Sequence, residues 1–149
     1  MATTKASAPT FFLNLYADDL DAVTTFYKAL DFKHNPGWCH ADTTAAFTLP
    51  APNESIALML LTPSSMSEFI RPGTTVGDAT KTTPAVYTLS ANSKDEVEEI
   101  LAKAGKAGAK LDPYVMKDYG AEHGMYCRSF EDPTGHIWEV CCMPAPASA

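Results

Sequence analysis

The chain of 149 residues sets 11 Lys+Arg against 18 Asp+Glu, a formal charge of −7, with an ordinary apolar fraction of 46%. That length suits one domain with a real core, and an acidic balance with no basic cluster argues against nucleic acid or anionic membrane as partners. No segment reaches the length of a membrane span and the N-terminus lacks the apolar stretch of a secretory signal, so a cytoplasmic location is expected.

Met1 to Pro9 and Pro144 to Ala149 read as tails. Between them Phe11 to Tyr16 alternates as a strand, and Asp18 or Asp19 then caps a helix running to about Leu30. Leu20, Val23, Phe26, Tyr27 and Leu30 form its apolar stripe at helical spacing. Short strands are expected near Phe32–Pro36, Thr43–Leu49 and Ser55–Thr62. Pro63 to Pro84 is long for a connection, with a helical turn possible at Ser64 to Ile70. It reads as a surface link, a lid over a pocket, or an arm that pairs modules between chains.

The second half repeats the order. Ala85 to Ala91 is a strand, and Ser93-Lys94-Asp95-Glu96 is a capping box that opens a helix striped by Val97, Ile100, Leu101 and Ala104. Gly105 or Gly108 ends that helix, and strands near Lys110–Met116, Met125–Glu131 and His136–Met143 follow. Leu15 and Leu89, Val23 and Val97, and Phe26 and Ile100 are each 74 positions apart. The fold class read from this order is α+β, two βαβββ modules of about 10–62 and 84–143 in a single domain over 10–143.

Asp132-Pro133-Thr134-Gly135 presets φ at Pro and passes to positive φ at Gly, the recipe for a three-residue hairpin loop closed by a glycine bulge. Asp132 then faces His136 and Ser129 faces Glu139. Alternation sends Trp138 and Val140 to one face, and Ile137, Glu139 and Cys141 to the other. A carboxylate between Ile and Cys needs a reason, either a ligand or a metal. The cysteines, Cys39, Cys127, Cys141 and Cys142, form no CxxC pair and read as buried free thiols in a reducing compartment, with no structural zinc site.

The paired βαβββ order, Asp19-Leu20 with Phe26-Tyr27, and Asp132-Pro133-Thr134-Gly135-His136 leading to Glu139 resemble the vicinal oxygen chelate superfamily of glyoxalase I, bleomycin-resistance proteins and ring-cleaving dioxygenases. Phe12-Leu13-Asn14-Leu15, Leu58-Met59-Leu60-Leu61-Thr62 and Asp78-Ala79-Thr80-Lys81 are similar to phrases of its small bleomycin-resistance-like members. The resemblance covers Thr10 to Met143 and implies two half-cups of sheet enclosing a site, with helices outside. In metal-dependent members the first and last strand of each module supply the ligands. Those positions fall on Phe12, Val86, Leu60 (Met59 if the register slips by one) and Glu139. Only Glu139 can bind a metal, so the expectation is a cup with no divalent metal or other cofactor.

Alternation points Phe12, Asn14 and Tyr16 into that cup, with Ile56, Leu58 and Leu60, then Val86 and Thr88, then Met125, Cys127 and Ser129. Such a lining is usual for a small-molecule site. Glu139 is the candidate catalytic residue, its pKa expected to rise among apolar neighbours; the alternative is a structural relic hydrogen-bonded to Ser129 or Asn14. His34, His40, His123 and His136 read as surface or turn residues, and Arg128 faces away from the cup. Trp38 either closes a pocket mouth or packs on a helix.

Two function classes follow. One is a binding protein for a small aromatic or amphipathic molecule, with cations favoured by the acidic surface. The other is a metal-free isomerase, lyase or cyclase using Glu139 for proton transfer, with Asn14 or Ser129 steadying developing charge. A metal-dependent glyoxalase or dioxygenase requires ligands from other positions or a partner chain. Half-cups leave sheet edges and apolar faces, so a homodimer is expected.

Overall fold

The computed structural model describes residues 8–40, 42–114 and 120–144. The first module comprises β1 (Phe11–Tyr16), α1 (Leu20–Ala29), β2 (Lys33–His34), β3 (Thr44–Thr48) and β4 (Ile56–Leu61). A connection opens with α2 (Pro63–Met66), and β5 (Val86–Ala91), α3 (Lys94–Lys106), β6 (Lys110–Leu111), β7 (Tyr126–Glu131) and β8 (Ile137–Cys142) build the second module. The sheets have equivalent orders, β1-β4-β3-β2 and β5-β8-β7-β6. In each, the first strand runs parallel to the last and the remaining pairs are antiparallel.

The helices form where caps and stripes coincide. Asp19 Oδ1 accepts the Ala22 amide at 2.9 Å, and Val23, Phe26 and Tyr27 are buried below it. Ser93 Oγ accepts the Glu96 amide as in the expected capping box, while the Glu96 carboxylate accepts the Asn92 amide, one residue before the cap. Both helices end by the same device, a residue at positive φ followed by an amide that returns to the last turn. Asp31 at φ 62° precedes Phe32 N–H to Tyr27 O, and Gly108 at φ 97° precedes Ala109 N–H to Ala104 O.

Two expected strands are shorter than their patterns. β2 stops at His34 because Pro36 starts a 3-10 turn, Pro36–Trp38. β6 stops at Leu111 because Asp112 takes φ 48°, which breaks the ladder; the expected continuation from 115 and both tails fall partly outside the described residues.

One core joins the modules. Phe26, Tyr27 and Phe32 from the first pack with Phe130 and Trp138 from the second, all at most 3% exposed. Each such side chain removed from water stabilises the fold by about 1.5–3 kcal/mol. Polar ties add direction: Asn53 both accepts from the Ser90 amide and donates to its carbonyl, each at 3.0 Å. The helices and this core occupy one face of both sheets, and the other face is left open, with Phe12 and Val86 exposed on it.

Candidate functional site

The β7–β8 hairpin forms as its turn chemistry demands. Asp132 N–H donates to His136 O, Gly135 takes φ 107°, and the ladder pairs Ser129 with Glu139. Asp132 Oδ1 accepts the amides of Thr134, Gly135 and His136 at 2.9–3.0 Å. His136, read as a surface or turn residue, sits in the turn but is buried, donating Nε2–H to the Tyr16 carbonyl at 2.8 Å.

On the open face of the second sheet, Val86 and Thr88 of β5 lie beside Ile137 and Glu139 of β8, and Ser129 and Cys127 of β7 lie beyond. Glu139 is half-buried, with Oε1 accepting from Thr88 Oγ1 at 3.2 Å and Oε2 from the Tyr114 hydroxyl at 3.4 Å. Two hydroxyl donors therefore stand among the apolar neighbours expected for Glu139. Burial raises the Tyr114 phenol above its ordinary value, and the Glu139 charge adds to that rise. Ser129 Oγ is fully buried with no well-formed hydrogen bond among the described residues. Tyr114 escaped the sequence reading because nothing in its neighbourhood placed a side chain from beyond β6 over Glu139.

The free-thiol expectation is corrected for two cysteines. Cys127 and Cys141 are joined by a disulfide, while Cys39 and Cys142 are free. Cys127 and Cys141 are directly opposed in the ladder, with Cα atoms 4.2 Å apart. The signal was present: the hairpin register that pairs Ser129 with Glu139 also pairs residues two places outward. Alternation separates Cys141 from Cys142, so their adjacency in sequence was no hint of shared burial.

Phe12, Asn14 and Tyr16 share one face of β1, and the parallel register sets Ala57, Met59 and Leu61 of β4 beside them. Leu58 and Leu60 pair with Leu13 and Leu15 instead, are fully buried in the helix-side core, and do not line the cup; Ile56 packs against the same core. Every residue of Ile-Ala-Leu-Met-Leu-Leu is apolar, so alternation carries no phase information there. The family's last-strand position in this module is therefore Met59. Met125 precedes β7, half-buried against Gly120, and Phe12 lies 6.0 Å from Trp38 between ring centroids. Arg128 points to the helix side, where it pairs with Glu98 and Asp112.

Tyr16 is not a free handle. Its hydroxyl accepts the Ala79 amide at 2.5 Å, and burial raises its pKa. The connection between modules thus lies across the seam as a strap, with Ala79 and Thr80 seated on Gly135. Beneath it is a cavity of about 230 Å³, where Asn14, Tyr16, Tyr87 and His136 meet Met66, Ile70 and Val76 of the strap.

The four family ligand positions are Phe12, Met59, Val86 and Glu139. Two hydrocarbon side chains, one thioether and one carboxylate do not fit a catalytic divalent ion, which wants three or more good donors. No step through such an ion is derived.

Among the described residues no helix is long and apolar enough to cross a membrane. No curated protein matches the sequence. Solved structures do. A hypothetical protein from S. aureus is 22% identical with TM-score 0.67, over 94% of this chain and 95% of that one. Lactoylglutathione lyase from Agrobacterium tumefaciens is 22% identical with TM-score 0.63, over 92% and 95%. A genomically encoded fosfomycin resistance protein from Listeria monocytogenes is 14% identical with TM-score 0.58, over 99% and 97%. Identities this low carry the fold alone. The family model of the Glyoxalase/Bleomycin resistance protein/Dioxygenase superfamily matches residues 11–140, nearly all of the described chain, and with the paired modules this places the chain in that superfamily.

Proposed function

We propose that this protein binds a small amphipathic molecule on its open face, with an apolar body against Phe12 and Val86 and a hydrogen-bond donor or cation on Glu139. The observation that carries this reading is the exposure of Phe12 (49%) and Val86 (44%) at positions where relatives of the metal-dependent kind hold an ion. Apolar side chains left bare around a half-buried carboxylate gain from being covered. Thr88 and Tyr114 hold the carboxylate in place, which lowers the ordering cost of recognising a donor. The net charge of −7 favours cationic over anionic ligands. The neighbours named for glutathione-adduct lysis and for fosfomycin resistance fit a fold that serves small molecules of several kinds. We assign the chain a homodimer as its working assembly and no divalent cofactor at the family positions.

A second reading rests on the Tyr114 hydroxyl, which lies 3.4 Å from Glu139. A phenol and a carboxylate side by side make a proton-transfer pair for metal-free isomerase or lyase chemistry.

A thermal-shift and fluorescence-titration panel of aromatic amines, with neutral and anionic isosteres, tests the binding reading. Aromatic cations are expected to bind, with Glu139→Gln weakening them about tenfold, roughly 1.4 kcal/mol, and leaving neutral isosteres unchanged. A panel without any binder, or a Glu139→Gln variant that keeps the cation preference, overturns it. Chemical turnover of a bound compound that Glu139→Gln abolishes selects the second reading.

A further inference from the structure

Among the described residues, one group brings three donor atoms of Cys, His, Asp or Glu within 4.8 Å of one another: Cys127, Glu139 and Cys141. From it we propose that the Cys127–Cys141 disulfide gates a soft-metal site. Oxidised, the pair has no metal-binding thiolate; reduced, its two sulfurs and the Glu139 carboxylate hold one zinc-class ion.

The geometry follows from the ladder. Cys127 and Cys141 face each other across neighbouring strands, and Glu139 stands two residues before Cys141 on the same face. Its Oε1 lies 3.1 Å from Cys141 Sγ. Tetrahedral zinc with Zn–S of about 2.3 Å sets its sulfurs roughly 3.7 Å apart. Rotation of each cysteine about χ1 reaches that separation from strands already 4.2 Å apart at Cα. Two thiolates and one carboxylate select a soft or borderline ion over magnesium or calcium. Three protein ligands leave the fourth tetrahedral position to a water or a small molecule. Thr88 and Tyr114 already orient the carboxylate, the part that outer partners play in metal sites. Only Glu139 is shared with the family's ligand positions, so this site is distinct from the one that Phe12, Met59 and Val86 fail to form.

The chemistry balances with a dithiol as reductant. Its two sulfhydryls give two electrons and two protons to the Cys127–Cys141 bond, which breaks to two thiols while the reductant closes to its own disulfide. Binding M²⁺ then releases the two thiol protons to solvent as two M–S bonds and one M–O bond form. Cys142 lies on the opposite face of β8 and Cys39 lies beyond β2, so neither contributes.

The test is an anaerobic titration with Co²⁺ of reduced, desalted chain against the oxidised chain. The reduced chain is expected to bind one equivalent, with thiolate-to-cobalt charge transfer in the near ultraviolet, tetrahedral bands in the visible and about two protons released per ion. The oxidised chain is expected to show none of these. The Cys127→Ser/Cys141→Ser double variant removes the charge-transfer band and either single substitution weakens it, Glu139→Gln keeps it but lowers affinity, and Cys39→Ser with Cys142→Ser changes nothing. Far-ultraviolet circular dichroism guards against unfolding of the variants. Thiol titration of the unmutated chain, expected to rise from two to four on reduction, checks the pairing without any mutation. Four thiols that persist under mild oxidant, equal cobalt binding by oxidised chain, or a charge-transfer band in the Cys127→Ser/Cys141→Ser double variant overturns the proposal. None of these outcomes depends on whether the open face binds a small molecule.

Discussion

The Tyr27 hydroxyl donates to Asp132 Oδ2 at 2.5 Å, joining the first helix to the last hairpin across 105 residues of sequence. The Tyr27 hydroxyl oxygen in turn accepts the Trp138 indole N–H at 3.0 Å. Asp132 spends its other oxygen on three turn amides, so one buried carboxylate shapes the hairpin and anchors it to the other module. Glu139 takes its place on the open face because that hairpin holds its register.

Tyr27→Phe leaves Asp132 Oδ2 and the Trp138 indole without their buried partner. The loss of stability is expected to be about 1–3 kcal/mol, read as a lower urea midpoint with unchanged slope. The effect also depends on pH. Burial first, then the Asp132 charge, raises the Tyr27 phenol well above 10.0. Above pH 10 the unfolded chain therefore loses this proton while the folded chain keeps it, and stability falls as pH rises. Tyr27→Phe is expected to fall less steeply above pH 10 than the unmutated chain. Equal slopes in the two proteins would show that Tyr27 does not carry this part of the alkaline limb.

Gly135 combines φ 107° with the strap pressed against it. A Cβ there meets Thr80 N at 2.9 Å and Ala79 C at 3.0 Å, both backbone atoms that cannot swing aside. Gly135→Ala is expected to cost about 1–3 kcal/mol and to loosen the strap. Limited proteolysis checks it: cleavage within residues 77–82 should become faster than in the unmutated chain. Unchanged cleavage with lowered stability would place the whole cost in the turn.

The helices, the repeat and the hairpin were legible in the sequence because each is written in local chemistry. Caps, stripes and a Pro-Thr-Gly turn need no tertiary knowledge. The phase of β4 was not legible, since Ile56 to Leu61 offers no polar residue to mark a face; only parallel pairing with β1 decides that Met59 faces out. The disulfide was implied by the hairpin register yet obscured by reading all four cysteines as free thiols of a reducing compartment. Tyr114 over Glu139 and Ala79 on Tyr16 are contacts between distant segments, which no periodicity encodes.

Arg128 bridges α3 and the loop after β6, with Glu98 at 2.8 Å and Asp112 at 2.5 Å. Its hydrogen bonds hold the Asp112 carboxyl below 3.8, and the Tyr126 hydroxyl first, then Arg128, hold Glu98 below 4.5. Depressed carboxyls stabilise the fold above their unfolded values, and that contribution is lost as pH falls through the folded ones. Arg128→Met keeps the stem's packing and removes the charge. Because Glu98 and Asp112 are 43% and 45% exposed, the expected loss at neutral pH is about 1 kcal/mol or less after solvent screening. The gap between variant and unmutated chain should narrow below pH 4 and in high salt. A gap that is constant with pH would assign the effect to packing.

Met59 and Leu60 are neighbours that face opposite ways, and substitution separates the two faces directly. Leu60 is fully buried in the shared core, so Leu60→Ala removes apolar contacts that its neighbours cannot refill. The expected cost is about 2–5 kcal/mol. Met59 is half-buried beside Asn14 on the open face, and Met59→Ala is expected to cost roughly 1 kcal/mol or less. Ligand titration should reverse the ranking: Met59→Ala shifts affinity for any binder that Glu139 recognises, while Leu60→Ala, measured where it is still folded, leaves affinity unchanged. Equal destabilisation by the two substitutions would mean that β4 pairs with β1 one residue out of this register. The family's last-strand position would then return to Leu60, and the open face would lose its thioether.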